Sequence, residues 1–231
     1  MNKKILIVVS SHSKWEEANR QTGYWIGEVS HFTEVLKEEG FDFDFVSPQG
    51  GKPPMDPKSV KGYQSLDGGY SAYQKNPELQ KKLENTLRPE QVNPDDYAAI
   101  YYAGGHGTMW DFPGNAALAS IAARIYEKGR IVASVCHGAT GLVDIRLSNG
   151  KHLIDGKKVT GFANIEERLM GLTSKVPFLT EDKMKERGAE YRRGLPFLPH
   201  VEVSERLVTG QNPMSTKAVA REVLRLLKGQ A

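Results

Sequence analysis

The chain has 231 residues, which is enough for one large α/β domain or two small ones. Hydrophobic residues make up 39% and charged residues 26%, proportions that are typical of a globular protein with a sizeable core. The formal net charge is only +3 and no basic block stands out. Because electrostatic binding needs a concentrated patch, the composition gives no indication of nucleic-acid or membrane-surface binding.

Cysteine usage and the N-terminal segment indicate the cellular compartment. Cys136 is the only cysteine, which excludes an internal disulfide framework and is typical of a reducing compartment. The apolar run at residues 5–9 is too short for the core of a signal peptide or for a membrane span. It predicts a buried first strand instead. We therefore expect a cytoplasmic protein that does not associate with membranes.

Short apolar runs alternate with helical patterns along the chain. The sequence predicts strands at residues 4–9, 41–48, 97–105 and 130–136. Apolar residues at helical spacing predict helices at residues 24–39, 116–128 and 215–228. Strand–helix alternation implies parallel strands that are joined by right-handed crossovers. The sequence therefore predicts an α/β fold with a doubly wound, three-layer arrangement.

No internal repeat, low-complexity tract or linker divides the chain, so we predict a single domain over residues 1–231. Two regions extend beyond a minimal sheet. Residues 48–71 are rich in Gly, Pro and Asp and predict a long ordered loop insertion. Residues 164–200 contain short helical patterns and the stretch GLPFLPH, and they predict a lid or an edge elaboration.

The single cysteine lies where a predicted strand turns into a predicted helix that begins near Gly138. Ligands of open α/β sheets bind at the carboxyl ends of the strands. A glycine two residues after Cys136 fits the strained turn of a nucleophile elbow, although Ser134 replaces the glycine that usually precedes the nucleophile. A helix N-terminus favours thiolate over thiol, so we expect a low thiol pKa. The alternative is a buried, inert cysteine.

A second motif, AGGHGTMWDFP at residues 103–113, follows another predicted strand. Paired glycines let the backbone approach a ligand closely and supply an amide to an oxyanion hole, with the amide of His137 as the other donor. A tight turn without function is the alternative. The motif has neither the glycine spacing of a dinucleotide site nor the Lys-Ser/Thr ending of a P-loop, which excludes both.

Five motifs along the chain resemble the ThiJ/PfpI superfamily. Within that superfamily they are most similar to the branch of glutathione-independent glyoxalases (glyoxalase III) and heat-inducible chaperones. The similarity covers nearly the whole chain. The motifs begin with TGYWIGEVSHFTEVLKEEGFDFDFVSPQGGKPPMDPKS and continue with AGGHGTMWDFP, VASVCHGATGL, VTGFANIEERLMG and LVTGQNPMS. The resemblance implies a flavodoxin-like α/β/α sandwich with a mostly parallel sheet and a homodimeric assembly.

The resemblance also implies a set of catalytic residues. Cys136 would be the nucleophile, with the carboxylate of Glu28 from the first helix beside its sulfur. His137 and Glu167 would complete a Cys-His-Glu triad. The neighbouring Glu166 is the alternative candidate for the acidic residue of this triad. Each carboxylate has an ordinary alternative as a solvated surface charge.

Substrate-binding groups follow from the same resemblance. The backbone of Gly105 would donate to the oxyanion together with that of His137, and His106 would line the pocket. Glu28 and His31 have the i, i+3 spacing of some metal ligands, but no second copy of this pair exists in the sequence. We therefore predict neither a metal ion nor another cofactor.

These residues fit addition of a thiolate to an aldehyde. The resemblance implies a glutathione-independent glyoxalase that converts 2-oxoaldehydes such as methylglyoxal to 2-hydroxy acids such as D-lactate through a Cys hemithioacetal. A cysteine amidase or peptidase of the PfpI type is one alternative, because the same triad could acylate on a peptide bond. A holdase chaperone or a protein deglycase is another. The expected partner is a small-molecule 2-oxoaldehyde.

Overall fold

The computed structural model describes residues 4–61 and 67–229. The strands of these ranges are β1 (Lys4–Val8), β2 (Lys14–Trp15), β3 (Arg20–Gln21), β4 (Asp42–Val46), β5 (Ala99–Tyr102), β6 (Ile131–Val135), β7 (Lys158–Val159), β8 (Glu190–Tyr191), β9 (Val201–Ser204) and β10 (Leu207–Gly210). The α-helices are α1 (Ile26–Glu38), α2 (Pro57–Val60), α3 (Gly69–Gln74), α4 (Pro77–Glu84), α5 (Thr108–Asp111), α6 (Ala116–Glu127), α7 (Asn164–Leu169), α8 (Thr180–Glu186) and α9 (Thr216–Gly229).

The main sheet has six strands in the order β4-β1-β5-β6-β10-β9. Five of them run parallel, and only the edge strand β9 pairs antiparallel, with β10. The chain leaves β1 toward β4 and later returns to β5 on the other side of β1. Strand order therefore reverses between β1 and β5, where an open α/β sheet has its ligand crevice.

Helices cover both faces of this sheet. Alternate residues of β1 point to opposite faces, so Ile5 and Ile7 join one buried cluster and Leu6 and Val8 join the other. The first cluster includes apolar side chains of α1 and α9, and the second includes those of α6. This is the mostly parallel α/β/α sandwich that the sequence predicts, and that prediction is confirmed.

The predicted elements agree with the structure except for their ends and for one edge of the sheet. The helix predicted at 24–39 spans Ile26–Glu38, and the one predicted at 116–128 spans Ala116–Glu127. Strands β9 and β10 were not predicted. Each has only four residues, and all four of β9 are half-buried, so neither produces a long apolar run.

The two added regions contain more regular structure than a loop. Within 48–71, Asp56 caps α2 by accepting the backbone N–H of Lys58, and α3 begins at Gly69; residues 62–66 lie outside the described ranges. Within 164–200 lie α7, α8 and β8, which pairs with β7 in a small sheet. In the described ranges, the helices are too short or too polar to span a bilayer. The single domain over 1–231 stays a prediction.

Candidate active site

The turn after β6 holds Cys136 in a strained backbone conformation. The strand ends at Val135, and Cys136 begins a 3-10 helix that ends at Leu142. Its φ of 56° lies in the left-handed region, which is unfavourable for a residue with a side chain. A Cβ on Gly138 would lie 2.2 Å from the carbonyl oxygen of Tyr102, so only glycine fits there. The predicted strand–helix junction with a strained cysteine is confirmed.

The end of β5 lies beside this turn. Tyr102 pairs with Ser134 of β6, so the glycines that follow β5 are brought against the cysteine turn. A Cβ on Gly104 would come within 2.9 Å of the backbone nitrogen of His137 and of a Glu28 carboxyl oxygen. The paired glycines therefore allow two backbone segments and a carboxyl group to meet at one point.

Glu28 reaches the cysteine from the first turn of α1 and is completely buried. Its Oε2 accepts the backbone N–H of Gly104 at 2.5 Å, while its Oε1 has no hydrogen-bond partner. Burial raises the pKa of Glu28 to about 8, although the hydrogen bonds of Gly104 and Cys136 act in the opposite direction. A protonated Glu28 at neutral pH therefore has an O–H group to donate toward the sulfur.

The thiol does not have the low pKa that we expect from the helix N-terminus. Burial raises the pKa of Cys136 well above its usual value, although the backbone N–H of His137 opposes this. The sequence expectation is wrong because a short 3-10 turn at a buried site stabilises the thiolate less than the loss of water destabilises it. The free thiol therefore needs a base.

His137 and Glu167 supply that base. The Cys136 Sγ lies 3.4 Å from Nδ1 of His137, and Nε2 of the same ring lies 2.7 Å from Oε2 of Glu167. A carboxylate at Nε2 fixes the tautomer with its proton on Nε2 and leaves Nδ1 free to accept the thiol proton. Burial would raise the pKa of Glu167, but the charge of His137 and hydrogen bonds from His106 and His137 outweigh it and hold the pKa well below the usual range.

His106 supports the same carboxylate from the other side. Its Nε2 lies 3.0 Å from Oε1 of Glu167, and its ring lies 4.1 Å from the ring of His137. Burial, together with the charge of His137, lowers the pKa of His106 to about 3, so this ring is neutral. Trp15, from the β2–β3 hairpin, packs on His106 with ring centroids 4.4 Å apart and shields the pair from water.

Glu166 has a different environment from Glu167. It is also completely buried, but its oxygens accept hydrogen bonds from the backbone N–H groups of Ala163 and Phe197 and from the side chain of Asn212. None of these hydrogen bonds involves His137. The geometry therefore places Glu167, rather than Glu166, in contact with His137, and Glu167 is the residue that the sequence analysis prefers for this position.

A metal ion has one candidate set of ligands among the described residues. The donor atoms of His106, His137 and Glu167 all lie within 4.8 Å of one another. Each oxygen of Glu167 is already hydrogen-bonded to a histidine nitrogen, so a metal ion would have to replace these hydrogen bonds. The prediction of no metal stays a prediction. Glu28 and His31 do not converge on one point; His31 lies near Glu34 and Asp67.

A cavity of about 510 Å³ opens onto the cysteine. Cys136, His137, His106 and Gly105 line it, so the structure brings the sequence-predicted residues together at one surface. Eight further residues line the cavity and were not predicted: Trp25, Asp67, Phe162, Met170, Phe197, Asn212, Pro213 and Met214. Six of them lie within the motifs that carry the family resemblance, Asp67 lies in the loop insertion at 48–71 and Phe197 in the region 164–200, but nothing in the sequence indicated that they line a cavity. The catalytic roles of the predicted residues stay predictions.

The raised pKa of Glu28 makes the stability of the fold depend on pH. From about pH 4.5 to about pH 8 the folded state keeps the Glu28 proton, whereas the unfolded chain has lost it. Unfolding then releases a proton, so stability falls as pH rises, by at most about 1.4 kcal/mol per pH unit. We expect the free energy of unfolding of Glu28→Gln to exceed that of wild type by an amount that grows as the pH rises over this range. Urea titrations at pH 5, 6.5 and 8 measure the difference, and a difference that is constant with pH would contradict it.

Comparisons with known proteins agree with this arrangement. A model of the DJ-1/PfpI family matches residues 24–226. "Glutathione-independent glyoxalase HSP31" of Saccharomyces cerevisiae is 34% identical over 236 residues, covering 98% of each chain. Glyoxalase III from Candida albicans has a solved structure that is 30% identical, covers 96% of each chain and superimposes with a TM-score of 0.88.

A third relative has a similar fold and higher identity. The structure of Rapid Encystment Protein 24 KDa from Francisella tularensis is 36% identical, with a TM-score of 0.89, and covers 96% of this chain and 98% of that chain. Together with the nearly full-length family match, these similarities confirm the resemblance of the sequence motifs. The chain therefore belongs to the DJ-1/PfpI family.

Proposed function

We propose that this protein is a glutathione-independent glyoxalase that converts 2-oxoaldehydes to 2-hydroxy acids. The observation that carries the proposal is the single buried cysteine in a strained turn, in contact with a histidine–glutamate pair and with a second, protonated carboxyl group. Relatives that match over nearly the full chain are named glutathione-independent glyoxalases, which supports the same activity here.

The first step is attack of Cys136 on the aldehyde carbon. His137 Nδ1 accepts the thiol proton, and the carboxylate of Glu167 stabilises the imidazolium that forms. The new bond joins Sγ to the aldehyde carbon, and the electron pair of the C=O bond moves to oxygen. That oxygen takes up the proton, which gives a neutral hemithioacetal. Backbone amides of His137 and Gly105 are the proposed donors to the oxygen.

The second step moves hydrogen from one carbon to the next. Glu28, ionised after it gives its proton to the neighbouring carbonyl oxygen, removes the proton of the former aldehyde carbon, and an enediol forms. Glu28 returns that proton to the adjacent carbon and takes the O–H proton of the former aldehyde carbon as its C=O bond forms, which gives a thioester of the 2-hydroxy acid. Water then cleaves the thioester, which releases the acid and restores the thiol. The sum is the addition of one water to the 2-oxoaldehyde, with no external thiol.

The peptidase alternative needs a more open site. A peptidase must admit a chain on both sides of the scissile bond, whereas Cys136, which lines the cavity, is only 4% exposed. This favours a small aldehyde over a polypeptide. A cytoplasmic location and a homodimeric assembly stay predictions, as does the absence of nucleic-acid partners.

A coupled assay tests the proposed function. Purified protein is incubated with methylglyoxal without glutathione or any other thiol, and D-lactate is measured with a stereospecific dehydrogenase. We expect enzyme-dependent D-lactate that is stoichiometric with the aldehyde consumed. Consumption of methylglyoxal without lactate would indicate simple adduct formation and would contradict the proposal.

Chelators are expected to leave this activity unchanged. Each oxygen of Glu167 accepts a hydrogen bond from a histidine, and the steps above need proton transfer only. Protein that is dialysed against EDTA should therefore retain full turnover. Added Zn²⁺ should inhibit, because it would bind the histidine and carboxylate atoms that His137 needs as a base. Turnover that is lost in EDTA and returns with a metal would show that the prediction is wrong.

A further inference from the structure

Two large apolar side chains are exposed at the opening of the cavity. Phe197 is 42% exposed and Met214 is 54% exposed, and both line the cavity that contains Cys136. Met170 lies beside them and is less exposed. We call Phe197 and Met214 the apolar rim. Exposed apolar side chains gathered at a cavity are typical of a binding surface.

A buried carboxylate holds the two segments of the rim in place. Oε1 of Glu166 accepts the backbone N–H of Phe197 and the side-chain N–H of Asn212, each at 2.8 Å. Asn212 also donates to the carbonyl oxygen of Leu198 at 2.9 Å, and Met214 lies two residues after it. The segments that carry Phe197 and Met214 are therefore tied to one oxygen atom.

The backbone of Phe197 is strained. Its φ is 59°, in the left-handed region that a bulky residue rarely adopts. Such strain persists only where surrounding contacts fix it, and it concentrates at functional sites. Here the contact that fixes the backbone is the hydrogen bond from the Phe197 N–H to Glu166. The aromatic ring of Phe197 remains partly exposed where it lines the cavity.

The cavity is larger than methylglyoxal requires. A volume of about 510 Å³ lies in the range of pockets that hold ligands much larger than a three-carbon aldehyde. The apolar rim lines the same cavity as Cys136. The carboxylate of Asp67 also lines the cavity, so an anionic substituent would be repelled there.

We propose that the apolar rim binds the substituent of the substrate, and that the preferred substrates are 2-oxoaldehydes whose substituent is apolar and longer than methyl. This inference rests on the proposed function. Each methylene that leaves water strengthens binding by about fourfold at full burial. Three additional methylenes that are partly buried on the rim should therefore raise kcat/KM by about tenfold, mainly through a lower KM.

Steady-state kinetics with two substrates test the rim. The ratio of kcat/KM for 2-oxohexanal to that for methylglyoxal is measured for wild type, Phe197→Ser, Met214→Ser and Leu169→Ser. We expect a ratio of about ten for wild type and a fall of about fourfold in each rim variant. Leu169 is 61% exposed but does not line the cavity, so Leu169→Ser should keep the wild-type ratio. A wild-type ratio near one, or a ratio that neither rim variant changes, would overturn the inference.

A second measurement does not depend on turnover. Cys136 is the only cysteine, so its alkylation is followed by intact mass with iodoacetamide and with N-hexyl iodoacetamide. We expect faster labelling by the hexyl reagent, and loss of this advantage in Phe197→Ser and Met214→Ser. If the protein converts no aldehyde but keeps this preference, the proposed function fails and the apolar subsite stands. Equal rates for the two reagents would overturn the subsite itself.

Discussion

Cys136→Ser is expected to abolish conversion of methylglyoxal to D-lactate. A serine hydroxyl in the same strained turn is a much weaker nucleophile toward the aldehyde, and the His137–Glu167 pair is arranged for a thiol proton. Removing the nucleophile of a covalent mechanism typically costs at least about 10⁴-fold, because no other group can form the intermediate. The D-lactate assay should therefore give the uncatalysed rate.

The absence of other thiols supplies a matched control for this substitution. Because Cys136 is the only cysteine, treatment of wild type with iodoacetamide modifies the same atom and should produce the same loss. Cys136→Ser that keeps its circular dichroism and its melting temperature but still forms D-lactate would contradict covalent catalysis. If wild type forms no D-lactate and both proteins suppress client aggregation equally, the holdase alternative would be favoured instead.

Alternation of short apolar runs with amphipathic segments was enough to predict the layers of the fold. Strand β1 illustrates why: it is apolar on both faces because both faces are covered by helices. The β2–β3 hairpin could not be predicted in this way. Each of its strands has two residues, and Trp15 is buried by contacts with distant parts of the chain, including the ring of His106 and the carbonyl of Lys175.

The position of the cysteine was predictable, but its electrostatics were not. An apolar run followed by Cys136 and Gly138 is a local signal, and the elbow follows from it. The thiol pKa depends instead on burial and on Glu28, which lies more than a hundred residues away in the sequence. The apolar rim was missed for a similar reason: hydrogen bonds to Glu166 hold the two segments that carry it, and no local sequence pattern indicates these bonds.

Glu28→Gln and His137→Ala are expected to fail at different steps. His137 Nδ1 lies 3.4 Å from the sulfur and is placed to take the thiol proton, whereas the unpartnered Oε1 of Glu28 is free to exchange a proton with the substrate. Both variants should therefore lose D-lactate formation by about 10²–10⁴-fold, the usual contribution of general acid–base catalysis. Glu38→Gln, at an exposed position of the same helix, is the control and should be fully active.

Alkylation of Cys136 separates the two roles. At pH 7.5 His137→Ala should react more slowly than wild type with iodoacetamide, because the thiol has lost its base. Glu28→Gln should react at a rate close to that of wild type, because Glu28 is mostly protonated at pH 7.5 and the glutamine amide keeps a neutral hydrogen-bond donor beside the sulfur. A glutamine cannot transfer a proton, so its turnover stays low even though the sulfur is reactive. Near-normal D-lactate formation by Glu28→Gln beside an inactive His137→Ala would assign the carbon proton to His137. Near-normal rates for both variants would contradict the proton transfers proposed for this site.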